Sequence, residues 1–206
     1  MVTLNLQVGA SSDDANEVAG SPPTLTDTSL NVGVGFLSSI IWASGYRFTG
    51  VTIAGGSTID TATVTLKAQA PLGTVWLTKL RAHAHDNSPT FTTTDGDVDA
   101  RAATTAGTDW DPPAWVDNTS YTSPSIVAVI QEIIDRAGWA SGNALSILHR
   151  NDGSADLSII IFDSYDALPA DAPKLDITYT AAAGVPTVPF GQHPVAVPQK
   201  REVVAY

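Results

Sequence analysis

The feature of the sequence that most restricts the fold is a strict alternation of apolar and polar residues from Thr61 to Ala68. Ala62, Val64, Leu66 and Ala68 alternate with Thr61, Thr63, Thr65 and Lys67. Because successive side chains of a β-strand point to opposite faces, this pattern predicts an antiparallel strand with one face in the core and one in water. Gly55 and Gly56 precede the strand and are typical of a turn.

Further strands are predicted along most of the chain, at 3–8, 30–34, 40–53, 76–85, 145–147, 157–162 and 175–179. The segment 157–162 is apolar on both faces, which predicts a central, buried strand. Residues 11–27 are rich in Gly, Pro, Ser and Asp and predict a turn-rich loop. The series as a whole predicts an all-β domain, an antiparallel β-sandwich of the jelly-roll type.

One segment has the periodicity of a helix. Apolar residues recur at positions 126, 129, 130, 133 and 134, which share one helical face. Ser123 is the predicted N-cap, Pro124 suits the first turn, and Gly138 is the predicted stop. We expect a single short helix packed against or across the end of the sandwich.

Composition restricts the partners and the chemistry of this chain. It has 206 residues, 43% of them hydrophobic, a formal net charge of -11 and no cysteine. The hydrophobic content supports a core, and the negative charge disfavours nucleic acid as a partner. Disulfides and thiolate metal sites are excluded. No apolar stretch approaches the roughly 20 residues that span a bilayer, so no membrane association is expected.

The chain changes character after Thr180, where a linker of small residues is followed by prolines at 186, 189, 194 and 198. Prolines at this spacing favour an extended path. We therefore expect a jelly-roll β-sandwich domain at 1–180 and a linker with an extended Pro-rich C-terminal arm at 181–206. The arm is predicted to dock on a neighbouring subunit through its apolar residues, namely Val185, Val188, Phe190, Val195, Val197, Val203, Val204 and Tyr206. The alternative is an inert tail.

Several groups of residues together resemble a known group of modules. They are 45–53 with 55–59, 86–91, Thr104 and Thr105 followed by Trp110 and Trp115, and 138–145. Over roughly residues 1–180, this pattern resembles jelly-roll modules akin to carbohydrate-binding and cell-surface modules of the DNRLRE type, which also occur in bacteriophage structural proteins. The resemblance implies the fold more than the function.

Two acidic groups are candidates for a metal site. Asp95, Asp97 and Asp99 alternate in one segment, and Asp13, Asp14 and Glu17 form a second acidic group in the first long loop. Carboxylate oxygens this close together suit Ca²⁺, and the resemblance implies calcium in loops of this kind. We predict that any bound metal is Ca²⁺ at these residues; the alternative is a pair of solvated acidic loops.

Trp110 and Trp115 flank two prolines and are candidates for glycan binding, because aromatic rings on the rim of a sheet stack against sugar rings. The alternative, which we favour, is that these rings cover the core beneath a long loop. His83 and His85 lie two apart on one strand face, a spacing that suits zinc or nickel. The alternative for them is two solvent-facing strand residues.

The sequence has no Gly-x-Ser-x-Gly motif, phosphate loop or dinucleotide fingerprint, so we expect no enzymatic activity. The first eight residues have no basic start and no long apolar run, so we expect no signal peptide and synthesis in a host cytoplasm.

Two classes of function stay open. The first is a structural virion protein, above all a phage capsid decoration or cement protein that docks through its arm on the major capsid protein or on its own copies in a homo-oligomer. The second is a carbohydrate-binding, tail or adhesion module that recognises surface glycans.

Overall fold

The structure is a computed structural model that describes residues 1–36 and 39–182. Its strands are β1 (Val2–Gln7), β2 (Asp14–Val18), β3 (Ser29–Val34), β4 (Ile41–Phe48), β5 (Thr58–Leu72), β6 (Thr78–Ala82), β7 (Thr108–Asp109), β8 (Ser120–Thr122), β9 (Leu145–Asn151), β10 (Ser158–Asp163) and β11 (Lys174–Thr180). The one α-helix of the described residues is α1 (Val127–Ile134), and a 3-10 turn lies at Ser11–Asp13. The predicted all-β fold with one short helix is confirmed. Beyond Ala182, the predicted arm lies outside the described residues.

All strand pairs are antiparallel, in the order β1-β11-β5-β10-β3-β4-β9-β6-β7, with β2 also paired to β4 and β8 to β5. One sheet contains β1, β11, β8 and the first part of β5. The second contains the end of β5 and the strands from β10 to β7. The two sheets form a curled, sandwich-like arrangement. No helix of residues 1–36 and 39–182 is long and apolar enough to cross a membrane.

Strand β5 belongs to both sheets. Its first half, Thr58 to Thr65, pairs with β11, and its end, from Ala68 to Leu72, pairs with β10. The alternating segment predicted from the sequence lies in the middle of β5. Its apolar members are all buried, with exposed fractions of 0–1%, so the predicted half-buried strand is confirmed.

The main core lies between the two sheets and contains large side chains that are fully buried. They include Tyr46, Phe48, Leu66, Leu80 and Phe162. Each contributes roughly 1.5–3 kcal/mol by leaving water. Strand β10 lies between β3 and β5. This position explains why it is apolar on both faces, and the predicted central location is confirmed.

A second, smaller core lies on the outer side of the second sheet. Ala15 of β2, Ala43 of β4 and Leu148 of β9 pack there against Phe91 and Val98 of the long segment between β6 and β7. The segment approaches the sheet so closely that a Cβ at position 45 would collide with the ring of Phe91. Glycine at this position therefore lets the loop between β6 and β7 cover the sheet.

Three sequence-based predictions are wrong in detail. The loop predicted at 11–27 contains β2, which pairs with β4 from Asp14 to Val18. The helix begins after Ile126 and ends before Asp135 rather than at Gly138. Ser123 does not cap it, because its hydroxyl accepts from the Val64 backbone nitrogen (3.0 Å) and donates to the Pro124 carbonyl (2.8 Å). This serine therefore joins the start of the helical segment to β5.

Candidate functional site

The first acidic pair, Asp13 and Asp14, is engaged by other groups of the protein. The Arg47 guanidinium lies 2.5 Å from Oδ1 of Asp13. Oδ2 of Asp14 accepts from the backbone nitrogen of Tyr165 at 2.7 Å. Burial raises the pKa of the Asp14 carboxyl to about 7, and Asp166 and Asp13 add to the rise. The surroundings of Asp14 therefore favour its uncharged form up to about neutral pH.

The second acidic group is folded around a glutamate of β2. Oε1 of Glu17 accepts from the Gly96 backbone nitrogen at 2.7 Å, and Oε2 accepts from those of Val98 (2.6 Å) and Asp99 (2.8 Å). Glu17 is fully buried. Three amide donors directed at one carboxylate replace the hydration that the charge loses on burial. The loop is thus held to the sheet through its backbone.

The side chains of this loop point to protein partners or to solvent. Asp97 accepts from Arg101 Nε (2.9 Å) and from the Thr92 backbone nitrogen (2.6 Å). Asp95 is exposed. Within residues 1–36 and 39–182 no three carboxylate or imidazole side chains converge where a metal ion could sit. The described residues thus do not bring together the predicted calcium ligands, which are Asp13, Asp14, Asp95, Asp97 and Asp99, and calcium binding there stays a prediction.

Trp110 and Trp115 are buried, with exposed fractions of 4% and 3%. Trp110 stacks on His149 with 5.5 Å between ring centroids, and Trp115 stacks on Tyr121 at 4.7 Å. Nε1 of Trp115 donates to the Ile161 carbonyl at 2.7 Å. Rings covered in this way cannot receive a sugar face. The burial of both tryptophans agrees with the alternative favoured from the sequence, that these rings cover the core.

His83 and Ser88 form a buried imidazole–hydroxyl contact, with 2.9 Å between Nδ1 and Oγ. The same hydroxyl also contacts Ser146 Oγ (2.8 Å) and Arg101 Nη1 (3.3 Å), and Ser88 is 1% exposed. Burial, with the charge of Arg101, lowers the pKa of His83 to about 4. A hydroxyl so enclosed cannot meet a substrate, so the contact is structural. The expectation that both histidines of this strand face solvent is wrong for His83.

A cavity on the outer face of β6 and β9, termed here the basic cavity, is lined by several cationic side chains. Strand alternation directs Lys79 and Arg81 of β6, and Leu148 and Arg150 of β9, away from the inner core. With Asn151 and Asp152, these residues line a volume of about 160 Å³. Lys79 and Arg150 are direct cross-strand partners. The cavity therefore places three cations together on a chain of strongly negative net charge.

One end of the second sheet carries a group of exposed apolar side chains, termed here the apolar end surface. Its members lie in three neighbouring connections, those after β3, β5 and β9, or at the strand ends beside them, and are 37–60% exposed: Phe36, Ile40, Ile41, Leu72, Val75 and Leu157. Backbone pairing joins these connections. Leu157 donates to the Gly35 carbonyl (3.3 Å), Ala155 donates to that of Val75 (3.1 Å), and Leu72 pairs with Ile159.

Leu157 stands out in this surface because its φ is +56°. A leucine side chain rarely adopts this left-handed backbone conformation, which costs of order 1 kcal/mol. The sequence predicted Leu157 as the start of a buried strand, yet its side chain is 47% exposed. An apolar residue that is both exposed and conformationally unfavourable is typical of a contact surface.

Neither surface could be predicted from the sequence. The basic cavity depends on the register of β6 against β9, and the apolar end surface depends on which turns become neighbours. The one available signal was the predicted strand at 76–85, in which Arg81 alternates with Leu80. Neither a scan against protein-family models nor a search of the curated proteins returns a match to this chain.

Proposed function

We propose that this chain is a non-enzymatic structural protein of a virion, foremost a phage capsid decoration or cement protein, that works by binding other protein chains. The apolar end surface is the observation that carries the proposal. Exposed apolar side chains grouped on neighbouring, backbone-paired connections are typical of a contact site for another protein. The resemblance to modules that occur in bacteriophage structural proteins supports the virion as the setting.

The partner on this surface is an apolar strip of a neighbouring virion protein, in the first place the major capsid protein. Six large side chains would each gain up to roughly 1.5–3 kcal/mol if they became fully buried, and less in proportion to their present burial. That gain offsets the cost of association, which is of order 4–15 kcal/mol. The predicted docking arm, Val185 to Tyr206, lies outside the described residues and remains a second contact in the proposal.

One further observation argues against catalysis, and another argues against glycan binding at the two tryptophans. The Ser88 hydroxyl that contacts an imidazole is enclosed in the protein, as described above. The alternative of a glycan-binding module loses its candidate platform, since both tryptophans belong to the core. A glycan would have to bind at another surface.

The experiment compares purified virus particles that carry wild-type protein or Leu157→Asn. Asparagine tolerates the left-handed conformation, so this change removes an exposed apolar group without loss of folding stability. Leu168→Asn is the matched control, because Leu168 is 52% exposed but lies in the connection between β10 and β11, away from the apolar end surface.

We expect quantitative mass spectrometry to find fewer copies of Leu157→Asn per particle and unchanged numbers of Leu168→Asn. Thermal unfolding checks that both variants fold. Absence of the wild-type chain from particles overturns the virion assignment. Equal incorporation of all three proteins overturns the role of the apolar end surface. Binding of the wild-type chain to a glycan array, without any association with particles, establishes the second function class instead.

A further inference from the structure

The basic cavity has no place in the docking function proposed above. Its Lys79 ammonium already lies between two carboxylates, 2.6 Å from Asp152 and 3.1 Å from Asp109. The two guanidinium groups are held differently. Nη1 of Arg81 donates to the Thr104 carbonyl at 2.7 Å. Carbonyl partners fix the position of a guanidinium but leave its charge in place.

Arg150 is the more unusual of the two arginines. Its Nη2 donates to the carbonyls of Val98 (2.7 Å) and Arg101 (2.8 Å). Its Nε is buried and, among residues 1–36 and 39–182, has no hydrogen-bond partner. Oδ1 of Asp99 lies 4.0 Å from this Nε, an ion-pair contact that is longer than a hydrogen bond. The charge of Arg150 is therefore held by two backbone carbonyls and one long ion pair, which compensate it only in part.

The surroundings of these donors favour an anion over water alone. Leu148 lines the cavity and is fully buried, so the site has an apolar side that lowers the local dielectric. Burial lowers the pKa of Arg150 and the nearby Arg81 charge acts in the same direction, which Asp99 and Glu17 oppose. An arginine stays charged under such shifts, so two like charges face one cavity. An oxyanion between them would relieve their repulsion.

We propose that the basic cavity binds one oxyanion, a carboxylate or a phosphate group, through Arg81 and Arg150. A guanidinium presents parallel N–H donors that match the two oxygens of such a group. The volume of about 160 Å³ admits an oxyanion with part of the molecule that carries it. Asp152 lies at the same cavity and competes with the anion, which sets a moderate affinity.

The experiment is isothermal titration calorimetry of the full chain at low ionic strength with two probes, inorganic phosphate and glucuronate. Phosphate reports a free ion, and glucuronate reports the carboxylate of an acidic sugar. We expect saturable binding of at least one probe with one site per chain. Arg81→Gln should weaken it about tenfold or more, as expected for loss of a charge-assisted hydrogen bond.

Asp152→Asn provides a change in the opposite direction, because it removes the competing carboxylate and should tighten binding. Arg136→Gln is the matched control: it removes one positive charge from an ion pair with Asp86, which does not line the cavity. Arg150→Gln is also informative if thermal unfolding shows that it folds, since Arg150 holds two backbone carbonyls. Arg81→Gln and Asp152→Asn keep the test valid if it does not.

Lack of saturable binding with both probes overturns the proposal. So does binding that Arg136→Gln weakens as much as Arg81→Gln, because that result indicates a general charge effect. A weaker rather than tighter Asp152→Asn complex also overturns it. None of these measurements involves virus particles, so failure here is separate from failure of the proposed docking function.

Discussion

The backbone nitrogen of Val98 donates to Oε2 of Glu17 across 2.6 Å. With the bonds from Gly96 and Asp99, it joins the acidic loop to β2 through one buried carboxylate. The negative charge of the carboxylate strengthens all three hydrogen bonds. A residue that appears from the sequence to belong to a solvated acidic group is therefore a structural anchor.

Glu17→Gln tests this anchor. The amide keeps the shape of the side chain but removes the charge and places an N–H₂ group against a backbone donor. We expect a loss of about 2–4 kcal/mol in the free energy of unfolding, measured by urea denaturation. Glu132→Gln is the control, because Glu132 accepts from the Thr105 and Ala106 backbone nitrogens at a half-buried position. Equal losses in the two variants would contradict the special role of burial at Glu17.

Asp14 gives the folded protein a dependence on pH. Its pKa is raised from 3.8 to about 7, so the folded state holds this proton more tightly than the unfolded state. The stabilisation is complete below about pH 4 and is lost as pH rises to about 7, at up to about 1.4 kcal/mol per pH unit. Asp14→Asn keeps an oxygen acceptor for Tyr165 and should remove this slope.

The measurement is thermal or urea unfolding of Asp14→Asn and wild type between pH 4 and pH 8. The stability of the variant relative to wild type should increase with pH across this range. Asp60→Asn serves as the control for removal of one negative charge, since Asp60 accepts only a surface hydrogen bond from Thr180. A parallel pH dependence of Asp14→Asn and wild type would show that Asp14 does not titrate as expected.

His149 should make the folding stability depend on pH in the opposite direction to Asp14. It is fully buried, and burial lowers its pKa from 6.5 to about 3. The unfolded state therefore takes up a proton first as pH falls, and stability is lost between about pH 6.5 and pH 3, at up to about 1.4 kcal/mol per pH unit. His149→Phe, in a site already stacked on Trp110 and Phe162, should lose less stability in acid.

The same variant above pH 7 supplies its own control, because His149 is then neutral in both states of the wild type. Any difference there measures packing and the lost contact with Thr78 Oγ1 (2.8 Å). Unfolding curves at pH 4, 5, 6 and 8 separate the two effects. An acid sensitivity identical to that of wild type would assign the loss to other groups, with His83 as the next candidate.

Deletion of residues 185–206 tests the predicted docking arm. The buried core residues of the described protein end at Tyr179, so the thermal midpoint of the shortened chain should stay close to that of the full chain. Incorporation into particles, or self-association by light scattering, should be lost. A control that replaces the arm with a Gly/Ser segment of equal length separates arm chemistry from chain length. Full assembly without the arm would show that it is an inert tail.

The strands that sequence reasoning found have a local pattern, either alternation or, for β10, apolar residues on both faces. β5 and β11 have one apolar and one polar face, and both were predicted for that reason. β2 was missed because Asp14, Asn16 and Glu17 look like loop residues. Their partners come from distant segments: Glu17 accepts from the loop between β6 and β7, Asp14 accepts from Tyr165 after β10, and Asn16 accepts from Asn31 of β3. The burial of these residues depends on tertiary contacts, which cannot be predicted from the hydrophobic periodicity of one segment.

The basic cavity and the apolar end surface could be predicted from the sequence even less well than the strands. Arg150 meets Lys79 only because β9 pairs with β6 in one register. The sequence favoured Trp110 and Trp115 as rings that cover the core. It did not predict their stacking partners, which are His149 and Tyr121. Proximity along the chain does not direct side chains to one point, so the acidic residues at 95–99 gave no sign that the backbone nitrogens of this loop point inward to Glu17.

The sharing of β5 by both sheets has a consequence for dynamics. A strand whose amides and carbonyls belong to two ladders cannot leave one sheet without disturbing the other. We therefore expect the two sheets to open together, as one cooperative unit, rather than as separate foldons. In native-state hydrogen exchange, the central amides of β5 should exchange only through global unfolding. The edge strands β1 and β7 should exchange first, through local opening, while the centre of the protein stays closed.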